Sequence, residues 1–451
     1  MFLNFIDRDF ELSFLHDRFN SDQYELIVIY GRRRIGKTTL LEKFLEDHNG
    51  FYFLSDKAGT ERNAIRFKNK VSQFLGESVI ESNDFFEIFE NLMTKNSSRA
   101  AIVIDEFSYL VEKDNAIPSV FQRIVDQIVR KSDLMVILCG SSISMMEMGV
   151  LSKKSPLYGR KTGHLKIEKM GLLDIQAFFP NNSLLSNIKC YSVTGGIPHY
   201  LEKFSETRSI AENIENEIFS KSGRLYEEVD FLLKEEFREP DIYKAILSAM
   251  GSGCTRVVEI GNRARIPAHN LSKYLNSLMA IGIIAKEYSG LDHKRKKPRY
   301  RICDNFFKFW FTFCEPFKSD MEIMELDYLL NYFKKNFNTY LGHAFEQIVR
   351  EQFLRKIIPF RIKQISRLWY GEIEIDALVK NDIGDHYAFV EVKFSKNVDG
   401  KQILSKLRSK VKELPLYNKK TDFFVIALDF STKVEGCFSF GEIVALHQKG
   451  V

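Results

Sequence analysis

Gly31-Arg32-Arg33-Arg34-Ile35-Gly36-Lys37-Thr38 matches GxxxxGK[ST], a spacing that holds a polyphosphate. Its glycines let backbone N–H groups curl around phosphate oxygens, and the N-terminus of the following helix adds partial positive charge. Lys37 can reach the β- and γ-phosphates, and the Thr38 hydroxyl can hold Mg²⁺. Gly31, Arg32, Arg33, Arg34, Ile35, Gly36, Lys37, Thr38 and Thr39 are the expected nucleotide contacts. Ile102-Val103-Ile104-Asp105-Glu106 supplies a second half. Asp105, closing an apolar run, can orient the water shell of Mg²⁺, and Glu106 beside it can polarise an attacking water. Alone, such a pair reads as a solvated loop; downstream of the phosphate loop it implies ATP binding and hydrolysis. Ser141, after the run Leu134–Cys139, is the candidate sensor of the γ-phosphate, although a Gly-Ser turn would look the same. Arg160 is a candidate arginine finger, against the plainer reading of a surface arginine.

A second constellation lies near the C-terminus. Glu346 stands beside the apolar stripe Leu341, Phe345, Ile348 and Val349, a helical pattern. Asp376 lies on the polar side of the alternating run Glu372–Asp376, and Glu391 and Lys393, two apart on the next strand, share a face. A hairpin turn at Asn381–Asp385 brings Asp376 close to Glu391. Asp376 and Glu391 can then hold Mg²⁺, and Lys393 can position water for attack on a phosphodiester. Carboxylates among Ile, Phe and Val need such a reason, because Asp and Glu are seldom buried unpaired. Two unrelated salt-bridged strands are the plainer alternative.

The elements that must position these groups follow from periodicity. Tyr24–Tyr30, Phe51–Leu54, Ala100–Ile104, Leu134–Cys139 and His164–Ile167 read as buried strands, with helical stretches such as Thr38–Leu45 and Pro118–Val129 between them. Near-continuous apolar strands separated by helices predict a parallel sheet covered on both faces. Residues 1–170 are thus expected to form a phosphate-loop core, and 171–235 a helical lid. Residues 236–316 are expected to form a winged helix-turn-helix: helices Asp241–Met250, Val257–Ala264 and Pro267–Met279, then strands Gly282–Glu287 and Pro298–Ile302. Residues 317–451 are expected to form an α/β domain. In it, helices Met321–Phe337 and Asn338–Ile357 precede strands Tyr370–Lys380, His386–Phe394 and Phe423–Leu428 and the basic helix Lys401–Leu414.

Composition narrows the partners. The 451 residues carry 65 basic and 60 acidic side chains, a net +5, so any nucleic-acid surface is local. His269, Asn270, Ser272 and Lys273 on the third helix, and His293-Lys294-Arg295-Lys296-Lys297 with Arg299 on the hairpin, are candidates for it. So are Lys401, Lys406, Arg408, Lys410 and Lys412. Packing against a neighbour, or a solvated face, would account for the same residues. Six scattered cysteines form no CxxC pair, which fits a reducing cytoplasm rather than zinc or disulfides. The longest apolar runs are strand-sized, so neither a signal peptide nor a membrane span is expected.

YGRRRIGKTTLL, IDEF, PLYGR and Thr194-Gly195-Gly196-Ile197-Pro198 together resemble the AAA+-related archaeal-type P-loop ATPases, a family also found in bacteria, over roughly residues 1–315. The resemblance implies a lid over the nucleotide, Pro198 near adenine, and the segment Phe5-Ile6-Asp7-Arg8 with Glu11 near the base. It also implies Arg160 acting on the γ-phosphate, either in its own subunit or in a neighbouring one of a homo-oligomer. IEIDALV and YAFVEVKFS resemble the strand–turn–strand core of the PD-(D/E)XK nucleases, with Ile375 where a proline is usual. The resemblances imply a restriction-endonuclease-like C-terminal domain and an ATPase acting on DNA with Mg²⁺-dependent cleavage. A nucleotide-gated switch, whose nuclease-like domain binds DNA or protein without cutting, is the alternative. Nothing in the sequence directly supports a chaperone or remodeller of proteins.

Overall fold

Five short apolar runs of the N-terminal region lie side by side as one parallel sheet. In the computed structural model, which describes residues 5–78, 82–292, 296–416 and 419–448, they are β1 (Glu25–Tyr30), β2 (Gly50–Leu54), β3 (Ala100–Asp105), β4 (Leu134–Gly140) and β5 (Gly163–Lys166). The order is β2-β3-β4-β1-β5, and every neighbouring pair is parallel. Successive side chains point to opposite faces. Leu26, Val28, Ile102, Ile104, Val136 and Leu138 therefore enter a core with Phe67, Phe89 and Phe121. The intervening Ile27, Ile29, Val103, Met135 and Ile137 enter a second core with Leu40, Leu41 and Phe44. Burial on both faces is why these strands are apolar without alternation.

Helices Lys37–Glu46, Thr60–Leu75, Phe85–Lys95 and Ile117–Gln127 make the crossovers. A parallel sheet brings the C-terminal ends of its strands to one edge. The pairings Tyr30↔Gly140 and Ile104↔Leu138 align the ends of β1, β4 and β3, so Gly31, Ser141 and Asp105 emerge together. An aromatic cluster packs on this sheet: the Phe67 ring lies 5.8, 5.2, 5.5 and 5.2 Å from those of Phe51, Phe53, Phe85 and Phe89.

Met1–Met170 with Gly196–Glu202 forms one compact unit, and Gly171–Gly195 with Lys203–Val451 a second. Residues Gly171–Gly195 and the stretch to Glu236 are helical: Ile175–Phe178, Leu184–Thr194, Ile210–Ile214 and Glu228–Glu236. A capping box between Ser209 and Glu212 starts the third of these. Next come helices Pro240–Gly251, Val257–Ala264 and Ala268–Ala280 and an antiparallel hairpin, β6 (Ile284–Glu287) and β7 (Arg299–Ile302). The basic loop residues His293, Lys294 and Arg295 lie outside the described residues.

Beyond the hairpin the structure departs from the sequence reading in three places. The expected helix Met321–Phe337 is interrupted at 323–326, where Met324 takes a left-handed φ of 61°, between helix Lys318–Glu322 and the next. One helix, Asp327–Ile348, runs through the Phe337/Asn338 junction, because neither residue breaks a helix and both flanking stretches keep the same period. Tyr370 does not open the expected strand but ends another, β8 (Ile362–Tyr370). Gly371, at a left-handed φ of 57°, turns the chain into β9 (Ile373–Asn381), which pairs with β10 (His386–Lys393). β8 escaped the sequence reading because it is an edge strand, half solvated, and Lys363, Gln364, Ser366 and Arg367 interrupt any apolar run. Four further strands are β11 (Val398–Asp399), β12 (Lys420–Ala427), β13 (Phe430–Thr432) and β14 (Cys437–Ser439). The main sheet is ordered β14-β12-β10-β9-β8, antiparallel through β8–β10 and parallel beyond. Helix Gly400–Lys412, capped by Asp399 accepting from the Gln402 N–H, covers it with Leu404, Leu407 and Val411. All six cysteines are free. Among the described residues, no helix is long and apolar enough to cross a membrane.

Phe67→Ala should remove the hub of the aromatic cluster and destabilise the N-terminal unit by about 3–5 kcal/mol. A urea unfolding series checks this, with Phe67→Leu as a smaller perturbation of the same site.

Candidate functional site

The phosphate loop begins where β1 ends. A side chain at Gly31 would place its Cβ 2.5 Å from the Ile167 carbonyl oxygen, and Gly36 has a left-handed φ of 92°, so both positions demand glycine. Between them Arg34 also adopts a left-handed backbone, φ 67°. Lys37 is buried and arches over the loop, its Nζ donating to the carbonyls of Gly31 at 2.9 Å and Arg32 at 3.0 Å. Arg33 donates to the Tyr109 hydroxyl at 2.7 Å. Ile35 is buried, and its carbonyl accepts from Arg8 Nη2 at 3.2 Å. Thr38 and Thr39 are exposed in the first helical turn.

Asp105 is fixed from three sides. Its Oδ1 accepts from the Glu106 N–H at 2.8 Å, and its Oδ2 from Thr38 Oγ1 at 3.1 Å and the Tyr52 hydroxyl at 2.5 Å. Burial, and then the Asp105 charge, push the Tyr52 hydroxyl far above its usual pKa, so it acts as a standing donor. Sequence reasoning missed Tyr52; on β2 it resembles any other aromatic strand residue. Glu106 holds a left-handed backbone, φ 51°, a strained state for a residue with a side chain. Its Oε2 accepts from Ser141 Oγ at 2.8 Å and the Ser141 N–H at 3.3 Å. Ser141, read from sequence as a phosphate sensor, thus has its hydroxyl on Glu106.

Two further expectations concern this unit. The ring of Pro198 comes within 3.9 Å of where a Cβ on Gly36 would stand, so Pro198 lies at the phosphate loop. Arg8, buried at a left-handed φ of 82°, joins Glu11 at 3.0 Å and the Glu168 carbonyl at 2.6 Å, which ties the N-terminal segment to the loop's rear. Arg160 is committed elsewhere. Its guanidinium forks onto Asp126 at 2.8–3.0 Å and reaches the Pro156 carbonyl at 2.9 Å.

The C-terminal unit brings Glu346, Asp376, Glu391 and Lys393 together. The β9–β10 register, Val390↔Ala377, sets positions 376 and 391 side by side. Asp376 Oδ2 accepts from the Val392 N–H at 2.8 Å and lies 3.7 Å from Lys393 Nζ. Lys393 is 2.8 Å from Glu391 Oε2, and Lys410 is 2.8 Å from Glu391 Oε1. Glu346 sits 3.6 Å from His343. Burial, then the charges of Glu346 and Glu391, push the Asp376 carboxyl up to about 7. Burial acts the same way on Glu391, but Lys393 and Lys410 outweigh it and hold that carboxyl below its ordinary value. Burial works against the charge on Lys393, and the carboxylates outweigh it, raising its pKa. The cluster thus keeps one carboxyl near its titration point beside two charged ones. Its donors are all oxygen, the chemistry a hard cation takes. Among the described residues, no group of three or more His, Cys, Asp or Glu side chains forms a ready metal cluster.

The basic candidates divide. His269, Asn270, Ser272 and Lys273 are exposed above buried Leu271 and Leu275, and Lys296 and Lys297 are exposed. Arg299 is not: it pairs with Glu374 at 2.7 Å and covers the Trp369 ring. On helix Gly400–Lys412, Lys410 is taken by Glu391 and Arg408 lies over Phe423, while Lys401, Lys406 and Lys412 face solvent.

Residues 5–204 match the model of an ATPase domain predominantly from Archaea, and residues 310–403 that of a domain of archaeal and bacterial proteins of unknown function. An uncharacterized protein of Methanocaldococcus jannaschii is 36% identical over 446 residues, covering 97% of this chain and 98% of its own. An uncharacterized ATP-binding protein of the same organism is 51% identical over 43 residues, 10% of this chain and 73% of its own. A solved Walker-type ATPase of Pyrococcus abyssi shares the fold at TM-score 0.51 and 20% identity, covering 68% of this chain and 95% of its own.

Asp376 supplies a pH test. Its carboxyl titrates near 7 when folded against 3.8 ordinarily. Between those values the folded chain holds a proton that the unfolded chain has released, so this group's contribution to stability falls as pH rises through the window. Asp376→Asn removes the titration and keeps an acceptor for Val392. In urea titrations it should exceed the wild type at pH 8 by about 1–3 kcal/mol, and the gap should narrow as pH falls and close only near the ordinary value of 3.8.

Proposed function

This chain belongs to the archaeal-type family of AAA+-like P-loop ATPases, and from that premise we propose that ATP hydrolysis in its N-terminal part controls DNA binding and Mg²⁺-dependent DNA cleavage in its C-terminal part. The protein binds ATP and is an ATP-hydrolysing enzyme. The reading adds a division into an ATPase core (1–170), a helical lid (171–235), a winged helix (236–316) and a PD-(D/E)XK nuclease-like domain (317–451). It also places the chain in the cytoplasm, in keeping with its free cysteines.

At the ATPase centre the loop amides and Lys37 hold the phosphates, and Pro198 borders the nucleotide. Thr38 and Asp105, with oxygens 3.1 Å apart, suit a hard cation, which when bound would offset phosphate charge. Glu106 takes the proton of a water attacking the γ-phosphorus as the bond to the β-phosphate oxygen breaks and ADP leaves. Ser141 aims Glu106. Arg160 serves a neighbouring copy in a homo-oligomer, exchanging Asp126 for the γ-phosphate.

The observation that carries the cleavage reading is the convergence of Glu346, Asp376, Glu391 and Lys393 from one helix and two strands, with Asp376 pushed up to about 7. Structural ion pairs have little cause to gather three electrostatically coupled carboxyls, Glu391 buried and Glu346 and Asp376 partly so, whereas a site that binds a cation and moves protons does. Asp376 and Glu391 would hold the cation, which supplies charge neutralisation and water activation; Lys393 orients the attacking water. The exposed polar start of helix Ala268–Ala280, with Lys296 and Lys297, supports phosphate-backbone contact. A non-cleaving switch is the second reading, favoured by the two lysines that already occupy both oxygens of Glu391.

Glu106→Gln should lower ATP turnover at least about 100-fold while leaving ATP binding intact, as phosphate release and nucleotide-binding titrations would show. For cleavage, the test is a labelled panel of single-stranded, duplex, branched and supercoiled DNA with ATP and Mg²⁺ or Mn²⁺. Wild type is expected to cut and Asp376→Ala to be silent, with Lys37→Ala reporting whether ATP gates the reaction. Wild-type protein that hydrolyses ATP and cuts nothing would sink the nuclease and leave the switch.

A further inference from the structure

Beside the carboxylate cluster, with which it shares Glu346, the C-terminal unit has a cationic cavity. It has a volume of about 400 Å³, and Arg301, Lys308, Arg350 and Arg367 line it together with Glu346. A neighbouring cavity of about 390 Å³ shares Arg301, Arg350 and Arg367, so the three arginines form the wall between the two.

The ion pairs leave positive charge over. Arg301 is paired with Glu287 at 2.5 Å and Glu351 at 2.9 Å. Arg350 shares Glu287 at 3.7 Å and donates to the Asp376 carbonyl at 3.2 Å. Glu346 is engaged by His343. Lys308 faces the Tyr340 ring at 5.4 Å, and among the described residues neither it nor Arg367 has a carboxylate in ion-pair reach. The lining of the first cavity thus carries four cations and one carboxylate, Glu346, while Glu287 and Glu351 line the neighbouring cavity together with the further cations Lys286 and Arg355, a charge excess whose solvation cost a matching anion would offset. The strain is visible on the cationic side: burial, followed by Arg301, depresses Lys308 to about 8. Arg301 Nη1 is buried without a hydrogen-bond partner.

We infer that this cavity binds a terminal phosphate monoester. A dianion answers the charge excess better than a carboxylate, and tetrahedral phosphate oxygens accept the paired N–H groups of guanidinium forks. The cavity, half open and about 400 Å³ in volume, takes one nucleotide-sized group rather than a duplex backbone. Glu346 belongs both to this cavity and to the carboxylate cluster, so a strand end held here lies beside the groups assigned to cleavage. The inference rests on the DNA reading only for the strand as the source of the phosphate; a free mononucleotide has the same chemistry.

The test is equilibrium binding by the full chain in EDTA, where no cutting is needed. The probes are a 3′-fluorescein single-stranded oligonucleotide with a 5′-phosphate, the same strand with a 5′-hydroxyl, and thymidine 5′-monophosphate in calorimetry. The 5′-phosphate should tighten binding about tenfold, and Arg367→Gln and Lys308→Gln should each erase that preference, with Arg367→Lys retaining part of it. Mononucleotide binding that depends on Arg367, without any effect of strand phosphorylation, would support the cavity and assign it to a free ligand. A wild type that neither prefers the 5′-phosphorylated strand nor binds the mononucleotide, or a preference unchanged in folded Arg367→Gln and Lys308→Gln chains, would overturn the inference. Failure of cleavage in the DNA panel would leave these outcomes untouched.

Discussion

The carboxylate of Asp105 is the joint on which the nucleotide site hangs. It closes a strand that is buried along its whole length, and it holds the Thr38 hydroxyl, the Tyr52 hydroxyl and the Glu106 amide at once. Each of those groups comes from a different element: the helix after the phosphate loop, the edge strand β2, and the turn that leads into the next helix. A carboxylate in so dry a place is tolerable only when its oxygens are answered by donors. The parallel sheet provides that by lining up the ends of neighbouring strands. The two phenylalanine-rich and aliphatic cores then act at a distance: they set the sheet, the sheet sets Asp105, and Asp105 sets Thr38.

The C-terminal cluster solves the opposite problem. Asp376 receives one backbone amide, while two other carboxyls press on it, and its proton affinity rises. Glu391 receives two lysines and stays charged. Neighbouring carboxyls in one buried pocket are thereby driven apart in protonation state, which an acid–base centre requires and a purely structural ion pair does not. Lys393 and then Lys410 make this possible, and Lys410 comes from the helix whose basic face looked, in sequence, like a solvated or phosphate-binding surface.

How much was legible follows from what each element needs. The five strands of the parallel sheet were readable because burial on both faces forces continuous apolar runs, and the phosphate loop because glycine at Gly31 and Gly36 is dictated by close backbone approach and left-handed torsion. Glu346, Asp376, Glu391 and Lys393 were readable because strand alternation and one tight turn place two of the carboxyls side by side. Edge strand β8 was not, since a half-solvated strand carries no such signature. Nor were Tyr52 on Asp105, Ser141 on Glu106 or Lys410 on Glu391, because these partnerships join segments whose spacing in the chain says nothing about their distance in space.

Glu106 shows why the nucleotide centre is more than a binding loop. Its backbone is held left-handed at φ 51°, a conformation that costs a residue with a Cβ about 1–3 kcal/mol. A glycine or asparagine would serve the turn more cheaply, so the turn alone does not account for a glutamate here. The strained backbone swings the carboxylate off the helix that follows and onto Ser141 at the end of β4, while Asp105 beside it points to Thr38. Two adjacent carboxylates are thereby sent to different tasks: one is locked to the loop helix, and the other accepts through one oxygen from the hydroxyl and N–H of Ser141 and the hydroxyl of Ser108, contacts that substrate binding can exchange. A fold concerned only with holding a nucleotide has no use for the second.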